Sequence, residues 1–208
     1  MHISCQHIGK KFNREWIFKG LDLEIPSGQK LLIKGGNGSG KSTLLKCISG
    51  YYSLSKGDIN YKSGEQAIKK EDVYKQISIS APYSDIYEEL NLKELVNFHR
   101  KFVPFKTPVA DRELEAVFQL EKVGNKLIKN FSSGMKQRVK TGLAILSDTP
   151  LLLLDEPLSN MDAKGADWYQ SMIRAYAQER TVIVCSNSQE EESSFCTEAI
   201  NVEDFKGG

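Results

Sequence analysis

Four glycines and a lysine within residues 35–42 constrain this chain more than any other feature. Gly35-Gly36-Asn37-Gly38-Ser39-Gly40-Lys41-Ser42 fits the pattern G-x-x-x-x-G-K-[ST]. It lies between a short apolar strand, KLLIK at Lys30–Lys34, and a helix predicted from about Lys41. That order of strand, loop and helix is the context in which such a pattern holds phosphate. Glycine is needed because several backbone N–H groups must converge on one anion, in conformations and at distances that a side chain would obstruct. The positive end of the following helix adds to the field. Lys41 then neutralises the β and γ phosphates of a nucleotide, and the Ser42 hydroxyl stands where it can ligate magnesium. Taken alone, the motif is also open to reading as a flexible turn, and it does not separate adenine from guanine nucleotides.

Downstream, residues 151–154 are all leucine and lead into Asp155-Glu156-Pro157. A continuous apolar run reads as a strand covered on both faces, and ligands of open α/β sheets gather at the carboxyl ends of such strands. In a phosphoryl-transfer site the first carboxylate there holds magnesium, commonly through water, and the next polarises the attacking water. Asp155 and Glu156 are assigned those roles. An isolated Asp-Glu pair at a strand end is more often a solvated turn; the glycine loop upstream reverses that preference.

Around these motifs the pattern predicts an α/β chain. Alternation at Ile3, Cys5, His7 and at Leu21, Leu23, Ile25 marks half-buried strands and an antiparallel layer in the first third. Further strands are expected at residues 57–61 and 77–80, then helices as far as about Ser147. Asn91 with Glu94 is a capping box ahead of Leu92, Leu95, Val96 and Phe98. A second helix is predicted through Leu114, Val117, Phe118 and Leu120, and a third after Ser133 that carries Val139, Leu143 and Leu146. Strands at 151–154 and 181–184 with a helix at about 163–178 between them imply parallel pairing. Ser188 with Glu191 is expected to cap one more helix before a last strand at 199–202.

Charge and composition narrow the function classes. The 28 basic and 27 acidic residues leave a net charge of +1 and no basic stripe for nucleic acid. The apolar runs fall short of the roughly 18 residues that span a bilayer, and the first residues lack the marks of a secretory signal, so a cytosolic location is expected. Cys5, Cys47, Cys185 and Cys196 are far apart, with no Cys-x-x-Cys pair and no nearby histidines. They are expected to be reduced and mostly buried.

A third stretch, Phe131-Ser132-Ser133-Gly134-Met135-Lys136-Gln137-Arg138, lies between the two nucleotide motifs and resembles the L-S-G-G-Q signature of ATP-binding cassette (ABC) proteins. A serine and a glycine at a helix start make a second anion grip. With this element, essentially the whole chain resembles the nucleotide-binding subunit of an ABC transporter. The resemblance implies a P-loop NTPase core with a mainly parallel sheet, an N-terminal antiparallel β layer and a helical insert. It implies one nucleotide-binding domain over residues 1–208, with 1–82 and 149–208 as core and 83–148 as the helical part carrying Ser132, Ser133, Gly134 and Met135. It further implies two cassettes packed head to tail around two ATP molecules, each signature reaching the γ phosphate held by residues 35–43, including Thr43, of the other. Ser159-Asn160-Met161-Asp162 then resembles the D-loop that crosses that interface, and Phe12 falls where an aromatic ring stacks on adenine, although a core role is equally open to it. Mg2+ with ATP as substrate, a separately encoded membrane permease docked at about residues 83–118, and a position on the inner face of the membrane follow from the same resemblance. The Phe-Ser-Ser-Gly-Met variant is most similar to small export-type subunits such as heme exporter ATPases.

Two positions depart from the family pattern. Pro82 stands where a glutamine is usual, and Asn187 stands where a histidine contacts the γ phosphate; His2, His7 and His99 all precede the signature. Asn187 joins Glu156 and Lys41 as a catalytic candidate, but asparagine cannot be charged, and losing a transition-state donor slows such chemistry about a hundredfold or more. Three readings follow: an ATPase of slow intrinsic turnover that energises an exporter, an ATP-gated dimerising clamp with little hydrolysis, and a soluble ABC protein unconnected with transport. The partner cassette is either identical or related.

Overall fold

The alternation in the first third becomes, in a computed structural model that describes residues 1–120, 122–187 and 190–206, two long antiparallel strands, β1 (His2–Phe12) and β2 (Glu15–Ile25). β3 (Lys30–Lys34), α1 (Lys41–Ile48), β4 (Lys56–Ser63), β5 (Gln66–Ile68) and β6 (Ile77–Ser80) follow. Three helices come next, α2 (Leu92–Arg100), α3 (Leu114–Val117) and α4 (Ser133–Leu146). The chain closes with β7 (Leu151–Asp155), α5 (Ala163–Tyr176), β8 (Thr181–Cys185), α6 (Glu190–Ser193) and β9 (Glu198–Asn201). Four strands in the order β2-β1-β4-β5 make an antiparallel sheet, and five in the order β6-β7-β8-β3-β9 make a parallel one.

Successive residues of a strand face opposite ways, and the central parallel strands bury both sets. Leu152, Leu154, Val182 and Val184 enter a core shared with Val139 and Ile145 of α4 and Trp168 and Met172 of α5. Leu151, Leu153 and Ile183 enter a second core with Leu44, Leu45 and Ile48 of α1 and with Ile3, Ile8 and Phe18 of the antiparallel sheet. Full burial of each such side chain stabilises the fold by about 1.5–3 kcal/mol, and every residue of β7 and β8 is buried. The carboxyl ends of these strands therefore form a rigid rim. β8 lies between β7 and β3, with Cys185 in register with Asp155 on one side and Ile33 on the other. That order sets Asn187 between the glycine loop after β3 and the carboxylates at the end of β7.

The predicted capping box forms in both directions: Glu94 N–H donates to Asn91 Oδ1 at 3.0 Å, and Asn91 N–H donates to Glu94 Oε2 at 2.9 Å. Cys5, Cys47 and Cys185 are buried and Cys196 is half-buried, all four as free thiols. Two expectations are corrected. His7 does not continue the inward row of Ile3 and Cys5; a register shift between Cys5 and Ile8 puts it in the left-handed region (φ 47), turns it to solvent and gives its inward place to Ile8. Its N–H and ring both bond the Asp22 carboxylate at 2.7 Å, a cross-strand partner that fixes the bulge. The helix predicted through Leu120 is a single turn, because Gln119 (φ 47) and Lys122 (φ 63) turn the chain back, and Glu115 accepts the N–H groups of Lys122 and Gly124. Leu114, Phe118 and Leu120 are nonetheless buried as their apolar character requires. The cap predicted at Ser188 lies outside the described residues.

Candidate functional site

The glycine loop and Glu156 line an open cleft of about 380 Å³, together with Ile17 and residues 37–43. Gly40 is at the N-cap of α1 with φ 107, a conformation side chains avoid, and a Cβ there would lie 2.5 Å from Ile17 Cγ2. Glycine at this point lets the loop close on β2, and no side chain caps α1, so its first N–H groups face the cleft. Lys41 is 5% exposed, and its Nζ donates to Gly35 O at 2.8 Å, to Gly36 O at 3.0 Å and to Asn187 Oδ1. Ser42 and Thr43 open α1 behind it, Ser39 is buried beneath the loop, and Gly38 is at its left-handed crest (φ 75).

Asp155 ends β7 and is 1% exposed, yet neither carboxylate oxygen has a hydrogen-bond partner among the described residues. Burial, above all, pushes its carboxyl up, with Glu156 adding to the effect; the neighbouring Ser42 hydroxyl and the Lys41 and Lys46 charges pull the other way. Two buried anionic oxygens without protein donors, with a hydroxyl alongside, are the hard oxygen set that suits Mg2+. Glu156 follows in a left-handed conformation (φ 46) that costs about 1–3 kcal/mol and is held by its N–H donating to Cys185 O at 3.0 Å. The turn aims its carboxylate back over the rim. Asn187 closes the group: its Nδ2 donates to Glu156 Oε1 at 2.8 Å and to Asn37 Oδ1, while its Oδ1 accepts from Lys41.

The signature residues lie elsewhere. Ser132 is the N-cap of α4, its Oγ accepting the Met135 N–H at 3.3 Å. Ser132, Ser133, Gly134 and Met135 line a second cleft of about 490 Å³ with Arg138 and residues 160–162. The two clefts have no lining residue in common. A Cβ on Gly134 would stand 2.6 Å from Asn160 O, so glycine is what lets the 159–162 loop lie against α4. Asp162 caps α5 by accepting the Gly165 N–H at 2.8 Å and faces Arg138 at 3.7 Å. Phe12 is 42% exposed and outside both cores, edge-on to Tyr52 at 5.5 Å with Lys10 Nζ 4.9 Å from its ring centroid. Pro82 offers only its carbonyl, which accepts from Lys140 at 3.4 Å.

Three residues hold the Glu156 turn in a way that the sequence reading did not assign to them. Gln137 and Thr141 of α4 donate to Pro157 O at 3.3 and 3.5 Å, and Glu192 accepts the Leu158 N–H at 3.1 Å. Gln137 and Thr141 are polar residues four apart on the buried face of α4, and that spacing was a usable signal. Glu192 had none, because Glu190-Glu191-Glu192 reads as a solvated run.

A protein-family model described as ABC transporter matches residues 18–159. The chain is 30% identical over 205 residues to the sulfate/thiosulfate import ATP-binding protein CysA of Synechocystis sp., covering 96% of this chain and 58% of that protein. It is 32% identical over 164 residues to the maltose/maltodextrin import ATP-binding protein MalK of Vibrio vulnificus, covering 77% and 44%. The chain thus spans about half the length of the curated relatives it matches. Among solved structures, a putative ABC transporter ATP-binding protein from Pyrococcus furiosus superposes with a TM-score of 0.81 at 20% identity, over 100% of both chains. An ATP-binding cassette in a dimeric post-hydrolysis state bound to ADP and Pi gives 0.79 at 20% identity, over 97% of this chain and 94% of that one. These likenesses show the same mixed fold of a parallel and an antiparallel sheet.

Proposed function

Because this chain belongs to the ABC transporter family, we propose that it is an ATP-binding and ATP-hydrolysing subunit that energises a membrane transporter. The observation that carries the reading is the Asn187 side chain, whose bonds join Asn37, Lys41 and Glu156 into one constellation at the rim of the parallel sheet. In this reading the N–H groups of residues 35–43 and the positive end of α1 take the phosphates, and the Lys41 ammonium exchanges loop carbonyls for phosphate oxygens. Phe12 supplies a stacking face for adenine. Ser42 and Asp155 would hold Mg2+, which neutralises charge on the β and γ oxygens. Glu156 accepts a proton from water as the water oxygen bonds the γ phosphorus, and the bond to ADP breaks with its electron pair leaving on ADP. Asn187 holds the Glu156 carboxylate toward the loop but contributes no charge, and slow intrinsic turnover follows.

Because the signature cleft is separate from the phosphate cleft, Ser132, Ser133, Gly134 and Met135 in this reading grip a phosphate held by a second cassette, identical or related, with Asp162 across the junction. Residues 1–82 and 149–208 serve as the core and 83–148 as the helical part. No helix among the described residues is long and apolar enough to cross a membrane, and the proposed partner is a separately encoded permease. It docks on the helical part near the exposed Tyr83, Tyr87 and Phe102 and holds the chain on the cytoplasmic face. Export is the proposed direction, on the strength of the Phe131-Ser132-Ser133-Gly134-Met135 variant; the curated relatives carry import names. Uptake against efflux in vesicles decides it.

The test is ATP hydrolysis by the parent, Glu156→Gln and Asn187→His, with nucleotide binding measured in each. Loss of about a hundredfold or more in Glu156→Gln at unchanged binding is expected for removal of a general base. A parent no faster than Glu156→Gln sinks the ATPase reading. Activity only in Asn187→His favours the ATP-gated clamp, which Asn187 and Pro82 motivate.

A further inference from the structure

Behind the turn that carries Glu156 lies a carboxylate that no step of this reaction uses. Glu192 is 2% exposed on the single-turn α6. Its Oε1 accepts the Leu158 N–H at 3.1 Å. Its own backbone is pinned, since Tyr169 Oη donates to Glu192 O at 3.0 Å and Gln170 Nε2 donates to Glu191 O at 3.3 Å. The group that engages the carboxylate belongs to the turn at the reacting end, since Leu158 follows Glu156 by two residues.

A buried carboxylate is costly, and an apolar residue would fill the same space without that cost. What the carboxylate adds is an acceptor for the Leu158 N–H, behind a turn that also meets β8 through the Glu156 N–H to Cys185 O and meets Asn187 through its Nδ2 bond to Glu156 Oε1. Pro157 is held from the opposite side by Gln137 and Thr141 of α4, so the Glu156 turn is clamped between α4 and α6. We propose that Glu192 is a positioning residue that holds the turn of Glu156 and Leu158 from behind through the Leu158 N–H, and so keeps the Glu156 carboxylate aimed over the phosphate loop. The inference rests on the ATPase reading for its catalytic consequence, whereas the tie itself is a property of the fold.

The experiment combines steady-state kinetics with amide hydrogen exchange on Glu192→Ala and Glu192→Gln in the full chain. Glu192→Ala is expected to lower kcat about tenfold or more, because small misplacements of reacting groups are expensive in rate, with KM for ATP within about twofold of the parent. Glu192→Gln, which keeps an oxygen for the Leu158 N–H, is expected to recover most of the rate. Exchange at Leu158 is expected to quicken about tenfold in Glu192→Ala while the β3 and α1 segments stay as in the parent. In a Glu156→Gln background, Glu192→Ala is expected to add no further loss, since the effect runs through Glu156. A Glu192→Ala variant that turns over like the parent, a loss that persists in the Glu156→Gln background, or exchange raised equally throughout the chain overturns the proposal. If the parent hydrolyses no ATP, the ATPase reading fails by itself, and exchange at Leu158 still decides whether the tie exists.

Discussion

Helices α1 and α4 both begin at a loop that presents backbone N–H groups, yet the two starts are finished differently. α1 has Gly40 at its N-cap, left-handed and without a side-chain cap, so the N–H groups of its first turn are left to a ligand. α4 has Ser132 there, and the hydroxyl oxygen satisfies one of those N–H groups from within the chain. Lys41, Asp155, Glu156 and Asn187 gather at the first start, whereas Arg138 and Asp162 near the second face each other at 3.7 Å. The first is organised around a ligand's charge. The second is a completed helix end, which in the proposed reading reaches a phosphate only when another molecule brings one. In the proposed reading, a chain with both, on separate clefts, is half of two sites.

Removing the charge from the first start should break the asymmetry most severely. Lys41→Ala deletes a buried cation, and hydrogen bonds to charged groups contribute about 1.5–3 kcal/mol. ATP affinity is expected to fall about tenfold to a hundredfold on that basis, read by titration with a fluorescent nucleotide. Unaltered affinity would mean that the N–H groups alone hold the phosphates and that the two starts differ less than their surroundings suggest.

A smaller effect is expected at the second start. Gly134→Ala places a Cβ where Asn160 O lies 2.6 Å away, so the 159–162 loop must move off α4. Nucleotide affinity of the single chain should be unchanged, because no residue is shared with the phosphate cleft. ATP-driven dimerisation, followed by light scattering, should weaken about tenfold, the scale of the roughly 1–3 kcal/mol that overpacking costs. Equal losses in monomer binding and dimerisation would show that the clefts are coupled within one chain.

How much of this was legible beforehand depends on the range of the interactions concerned. The glycine loop, the apolar runs of β7 and β8 and the Asn91 capping box are written within a few residues, and each appears where its pattern predicts. The bulge at His7 depends on Asp22, and the early end of α3 depends on Glu115 receiving a chain that doubles back, so neither shows in local periodicity. The site divides the same way. Residues 35–43 and Asp155 are recognisable from their order, whereas Glu192 reaches the Leu158 N–H only because α5 carries α6 to the back of the Glu156 turn.

The finest probe of the comparison is the cap itself. Ser132→Ala removes the acceptor for the Met135 N–H, and loss of such a cap costs about 0.5–2 kcal/mol. For a chain of this size, about 1 kcal/mol lowers Tm by about 2–4 °C. Ser132→Asp keeps an acceptor at the N-cap and suits the positive helix end, so it should restore Tm. It also replaces the hydroxyl's proton with a negative charge facing the second cleft. If α4 meets a phosphate from another copy, Ser132→Asp should therefore impair ATP-driven dimerisation more than Ser132→Ala while melting higher. Should Asp restore dimerisation along with Tm, Ser132 would be a cap and nothing more, and the contrast between the two helix starts would rest on Ser133 and the backbone of α4 alone.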